Sequence, residues 1–263
     1  MRRFEGLGVL AMCAAIFCAV PLALGGIGIS WDGLNHHFYL GWTAQHPRFD
    51  KDFVAASYQS YQFPYLYWPA YALAAGGASG MTAGLVLALL HLVCVPPVWL
   101  LSRVLVPGSE PVDAVLRCMA VALAFSSTLA LSILDTTSND MLAAAPLVWA
   151  LALAFLPWDR ATTRPVSVRA AVAWSAALAG VAVAFKLSNG PIAIVLPLVW
   201  IAHQGSWVER LRRLVLAGCA GSAAFLATYG YWGWQLWTHL GNPIYPFYDA
   251  YFEPLRRWAW GGA

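Results

Sequence analysis

Charge is what this chain has least of. Only 10% of its 263 residues are Asp, Glu, Lys or Arg, while 60% are hydrophobic. A water-soluble domain carries roughly 25% charged residues, so too little polar surface exists to cover this chain in water, and a soluble globular fold is excluded. The mean hydropathy of +0.63 agrees. Cysteine is also scarce, and the count of five is odd. Cys13, Cys18, Cys94, Cys118 and Cys219 all lie inside or beside apolar runs. They read as small buried hydrophobes, not as a disulfide or metal framework. The polar segments hold no nucleotide-binding pattern, and no nucleic-acid partner is expected.

What is abundant is long apolar sequence. A helix needs about 20 apolar residues to cross a bilayer. The runs 7–29, 82–106, 114–134, 141–157, 170–185, 190–203 and 214–237 predict about seven transmembrane helices, two of them short. Lys186-Leu187-Ser188-Asn189-Gly190-Pro191 divides the fifth from the sixth, because Gly and Pro interrupt a helix there. Met1-Arg2-Arg3 before an apolar run imitates a signal peptide, but the run is long enough to be an uncleaved first helix. Residues 61–77 are apolar yet aromatic-rich and broken by Pro64 and Pro69, which predicts a helix lying at the interface or re-entering it. The expected fold is an all-α polytopic membrane protein with a single membrane domain, 1–263. Residues 30–80 form its first outer loop and 238–263 its outer tail.

Loop charge orients this array. With Arg2 and Arg3 in the cytoplasm, the same side receives Arg103 and Arg117, then Arg160, Arg164 and Arg169, then Arg210, Arg212 and Arg213. The opposite loops before the tail hold only Arg48, Lys51 and Lys186, as the positive-inside rule requires. Asp32, Asp50, Asp52, Asp135, Asp140, Lys186, His239, Asp249 and Glu253 therefore collect on the outer face, and any chemistry is expected there.

Several of those residues carry two readings. Asp32, in Trp31-Asp32-Gly33, is a general base at the membrane surface, its pKa raised by burial among Trp31, Phe38 and Tyr39, or it is an N-cap for 33–42. Asp140 is a second acid completing a site with Asp32, or the cap of a helix beginning at Met141. His36 and His37 point roughly 100° apart on a helix, which argues against one shared metal ion. With His46 they suit hydrogen bonding to a phosphate or sugar hydroxyl. Lys186 snorkels to the interface or holds a lipid phosphate, with Lys51 and Arg48 as alternatives. The tail Gly241-Asn242-Pro243-Ile244-Tyr245-Pro246-Phe247-Tyr248 is a membrane-anchored turn or an aromatic wall for a sugar or polyprenyl chain.

Taken in order, these segments resemble the GT-C superfamily of integral membrane glycosyltransferases, near the protein mannosyltransferase and aminoarabinose transferase-like group. The likeness rests on Trp31-Asp32-Gly33 with His36-His37-Phe38-Tyr39, on the segment 64–71, on Ser138-Asn139-Asp140-Met141-Leu142, on Phe185-Lys186-Leu187-Ser188-Asn189 and on 241–248. It implies a polyprenyl-phosphate sugar donor, a glycan, lipid or protein acceptor, and inversion at the anomeric carbon, in a bacterial-type inner membrane. Asp32 would be the base and Asp140 its support. Lys186 or Lys51 would stabilise the leaving phosphate, and His36, His37, Tyr61, Asn189 and Asn242 would contact substrate. No cofactor is implied, and a divalent metal is not favoured. Relatives carry more spans, so the chain reads either as a truncated, inactive homologue or as one part of an assembly in which a partner chain supplies a further C-terminal region.

Overall fold

The computed structural model describes residues 2–160 and 166–261. Arg164 and the final Gly262-Ala263, used in the sequence reading, lie outside the described residues. Among the described residues the regular structure is helical, with one four-residue extended segment, Ala55–Tyr58.

Helix α1 (Arg2–Leu24) ends where Gly25 and Gly26 take positive φ values of 86° and 132°. That left-handed turn lets the Gly26 N–H donate to the Pro21 carbonyl at 2.8 Å, closing the helix end. The chain is helical again over 31–43, with a π turn at Gly33–His37 leading into α2 (Phe38–Thr43). The eight-residue α3 (Trp68–Ala75) starts with Pro69 in its first turn, where a missing N–H does no harm. It is too short to cross a bilayer, in keeping with the interfacial reading of 61–77.

α4 (Gly80–Leu90) and α5 (Val95–Leu105) join through a 3-10 turn, His91–Cys94, into one apolar length of 26 residues. Pro96 and Pro97 cannot donate into an α ladder, so the turn tightens before them. The Trp149 indole N–H donates to the Val93 carbonyl at 2.9 Å. α6 (Pro111–Phe125) opens with a reciprocal Glu110–Asp113 capping box. It stops at Ser126-Ser127, and the Ser127 hydroxyl caps α7 (Thr128–Ile133) by accepting from the Ala130 N–H. α8 (Asp140–Phe155) and α9 (Val168–Phe185) follow, then the short α10 (Gly190–Ala193) and α11 (Leu196–Ala202). The 34-residue α12 (Trp207–Leu240) ends at Gly241, whose φ of 66° is left-handed, and α13 (Asp249–Trp260) closes the chain.

Among the described residues, five helical lengths are long and apolar enough to cross a membrane: Phe4–Leu24, Gly80–Leu105, Asp140–Trp158, Val168–Phe185 and Trp207–Leu240. These make the chain a membrane protein by length and composition. The other two expected spans are broken helices. The run 114–134 is divided where the hydroxyls of Ser126 and Ser127 compete for backbone groups. Leu187–Ala202 is a shorter apolar segment with Pro191 and Pro197 at its helix starts.

Small residues set the helix spacing. Gly180 of α9 meets the Gly221 backbone of α12, and a methyl group at Gly180 would collide with the Gly221 carbonyl oxygen. Such approach lets helices pack by dispersion where lipid removes the hydrophobic drive. Deep in this region the Ser175 hydroxyl donates to the Ala150 carbonyl at 2.7 Å and accepts from the Trp200 indole at 3.0 Å, joining α8, α9 and α11. A second core gathers Val9, Phe17, Ala88, Val95, Val121 and Leu134.

Polar contacts segregate to the two ends of the bundle. At one end Arg117 pairs with Glu5, Arg103 pairs with Asp159, and the His203 ring bonds the Ala154 carbonyl. At the other, the Gly28 N–H donates to the Asp135 carbonyl and Lys186 pairs with Asp140. The broken segments 111–133 and 187–202 both run from one end to the other. The five cysteines are free, and Cys219 is exposed on α12, unlike the buried Cys13 and Cys94.

Candidate functional site

The second end holds a concentrated set of side chains from elements far apart in sequence. The π turn brings His36 and His37 inward, and both are buried. A π turn shifts side-chain registry within a helix and recurs at functional sites. His37 Nδ1 lies 2.7 Å from the Thr137 hydroxyl, and its ring packs 4.9 Å from the Tyr67 ring. The His36 ring stands edge-on to it at 4.4 Å. Burial, reinforced by His36, lowers the His37 pKa to about 4, so this imidazole is neutral at pH 7. His36 is lowered as well, again chiefly by burial.

Asp140 and Lys186 form the charged part. Asp140 is the first residue of α8, and its carboxylate accepts from the Ser138 hydroxyl at 2.7 Å and pairs with the Lys186 ammonium. Lys186 stands in extended conformation just after α9, which directs it across to α8. The capping reading of Asp140 is corrected, because Asn139 occupies the cap position and makes no side-chain capping bond.

Asp32 is also no cap. Ser30 accepts from the Gly33 N–H at 3.0 Å and fills that role, leaving the Asp32 carboxylate free of backbone bonds. The enclosure expected among Trp31, Phe38 and Tyr39 does not form: the Asp32 side chain is 57% exposed and Trp31 73%. Its near neighbour is His36, whose Nδ1 lies 3.9 Å away. Asp32 and Asp140 nevertheless both favour the protonated form of His37, an effect that burial outweighs.

Beside this cluster lies a cavity of about 120 Å³. Its walls are aromatic, with Tyr61, Phe63, Tyr67, Phe185, Tyr229 and Tyr245, and its polar atoms come from Gln62, Asn139, Lys186 and Ser188. The Tyr67 hydroxyl donates to Gln62 Oε1 at 3.0 Å, and burial raises its pKa, so it remains a donor. Phe63 stacks on Phe185 and Tyr229, and Tyr61 stands edge-on to Tyr245 at 4.8 Å. The Trp232 indole donates to the Tyr61 carbonyl at 3.1 Å, holding the first loop against α12.

The remaining sequence-selected residues are dispersed in role. Tyr61 lines the cavity, while its hydroxyl accepts from the Val54 N–H. The Asn189 amide donates to the Ala143 and Ala182 carbonyls, tying the end of α9 to α8. Asn242 is fully buried, bonding the Phe247 carbonyl, Asp249 and the Ile244 N–H, and so shapes the tail turn. Lys51 is exposed on the first loop and lines no wall of the cavity. Arg48 pairs with Asp52 at 3.0 Å, and His46 stacks on Trp42. Among the described residues no group of three or more His, Cys, Asp or Glu could hold a metal ion.

Sequence reading did not select Tyr67, Thr137 or Tyr229 individually. Tyr67 lies in the aromatic segment 64–71, but no spacing rule singles out either Tyr67 or Thr137. The chain matches no protein-family model, no curated protein and no solved structure.

Proposed function

We propose that this chain is a membrane glycosyltransferase of GT-C type, moving a sugar from a polyprenyl-phosphate donor to an acceptor hydroxyl at the outer face. The observation that carries the proposal is the joining of Asp32, Asp140, Lys186 and the buried His36–His37 pair beside an aromatic cavity at one bundle end. The five long helices and the two broken segments would give seven passes, with the N-terminus in the cytoplasm of a bacterial-type inner membrane. On this reading the acceptor O–H gives its proton to Asp32 as its oxygen attacks the anomeric carbon. The bond from that carbon to phosphate oxygen breaks, inverting the centre. The departing lipid phosphate gathers negative charge, and Lys186 leans toward it from Asp140; fixed cations act most strongly where charge develops. Neutral His37 and Tyr67 provide hydrogen-bonding atoms without competing charge.

Asp32→Asn keeps the shape of the side chain and removes the base. Membranes containing the variant should transfer sugar from a polyprenyl-phosphate donor at least about 100-fold more slowly than wild type. Undiminished transfer would remove the base assignment. A lipid carrier without turnover is the second reading, favoured by the ion pair that already neutralises Lys186. Donor binding with no transfer by the wild-type chain would select it.

A further inference from the structure

At the end of the bundle opposite the cavity, α9 and α12 start side by side and leave a cleft of about 880 Å³. Its rim carries Arg169, Arg212 and Arg213, and its floor is apolar, formed by Val168, Leu216 and Cys219 among others. The three arginines are not equivalent. Arg213 donates to the His203 and Gln204 carbonyls and is part of the fold. Arg169 and Arg212 are exposed. The one acid in the cleft, Glu209, accepts from the Ser206 N–H at 2.7 Å and the Ser206 hydroxyl at 3.1 Å, closing a capping box. Two exposed arginines therefore share a cleft with apolar side chains, at the level where two candidate membrane spans begin.

We infer that this cleft binds the headgroup of an anionic phospholipid, with Arg169 and Arg212 on the phosphate and the first acyl carbons over Val168, Leu216 and Cys219. Guanidinium groups match phosphate in planar, two-point contact. Basic pockets between spans at a membrane face suit anionic headgroups, and the apolar floor gives a lipid an advantage that a free anion lacks. The inference depends on the chain lying in a bilayer and is independent of sugar transfer at the other end.

The full chain in neutral detergent is mixed with equal amounts of phosphatidylglycerol and phosphatidylcholine, and retained lipid is counted by native mass spectrometry. Phosphatidylglycerol should be retained in roughly tenfold preference. Arg169→Gln/Arg212→Gln should bring that preference close to parity. Arg169→Lys/Arg212→Lys should keep most of it, and Arg256→Gln/Arg257→Gln, at the far end of the chain, should leave it unchanged. Equal retention of the two lipids by wild type would overturn the inference. So would a preference surviving the glutamine pair, or displacement of the lipid by millimolar inorganic phosphate, which would mark a free-anion site. The wild-type measurements decide the matter even if the glutamine pair folds poorly.

Discussion

Replacing Arg117 with Met should be among the most damaging single changes in this protein. The Arg117 side chain is 4% exposed and faces a Glu5 carboxylate that is 14% exposed. Its Nε and Nη2 donate to the two Glu5 oxygens at 2.6 and 2.7 Å, and Nη1 donates to the Val106 and Gly108 carbonyls at 2.9 and 3.0 Å. The Trp99 indole adds a bond to the same carboxylate at 3.2 Å. A partly exposed ion pair contributes about 0–1 kcal/mol. Removing one partner of a buried pair instead costs about 3–5 kcal/mol, since the other charge is left without compensation. Met fills nearly the same volume, so the loss is electrostatic and not a cavity. Glu5→Met should cost a similar amount. The double variant removes both charges and takes these partners from the Trp99 N–H and the Val106 carbonyl, about 1–3 kcal/mol for each. Its cost should therefore fall well below the sum of the single changes. Denaturant unfolding in detergent micelles, followed by tryptophan fluorescence, measures all three. A cost for Arg117→Met under about 1 kcal/mol, or additive single changes, would refute the reasoning.

The remaining predictions use the same measurement. The His37 pKa is lowered from 6.5 to about 4, so between those values the unfolded chain binds the proton and the folded one does not. Stability should be full above pH 6.5 and fall by on the order of 2 kcal/mol as pH drops toward 4, and His37→Gln should flatten that slope. Gly180→Ala on α9 pushes a methyl group at the Gly221 carbonyl of α12 and should cost about 1–3 kcal/mol, whereas Gly218→Ala on α12 meets nothing within 4 Å and should cost nothing measurable. Ser175→Ala leaves the Trp200 N–H unmatched in an apolar interior and should cost about 1–3 kcal/mol. Asp32→Asn should leave stability within about 0.5 kcal/mol, since Asp32 is exposed and caps nothing. Any loss of transfer in that variant would then be chemical.

The membrane character and the main helices follow from the sequence alone because hydropathy over about 20 residues is a local property. The runs at 7–29, 82–106, 141–157, 170–185 and 214–237 all became helices of spanning length, and the short, proline-broken segment 61–77 did not. Charge order along the loops also placed Asp140 and Lys186 on one side of the bundle, where they pair. Other features needed the fold. Whether 114–134 stays one helix depends on how two serine hydroxyls compete with the backbone, and composition does not decide that contest. The capping reading of Asp32 failed because Ser30, two residues earlier, reaches the Gly33 N–H first. Its enclosure failed because Trp31 is exposed and the half-buried Phe38 and Tyr39 leave the Asp32 carboxylate open to solvent. Asn189 bonds two backbone carbonyls, and Asn242 bonds the Phe247 carbonyl, the Ile244 N–H and the Asp249 carboxylate, partners that no local pattern names. The His37–Thr137 contact spans 100 residues and the Trp232–Tyr61 contact 171. Contacts of that range are made by helix packing, which no local pattern encodes. Hydropathy and loop charge are enough to read an apolar helical chain with Asp32, Asp135, Asp140 and Lys186 on one side of it. Only the tertiary structure decided which of those acids meets a cation, which stays open to solvent, and which aromatic side chains enclose a cavity between them.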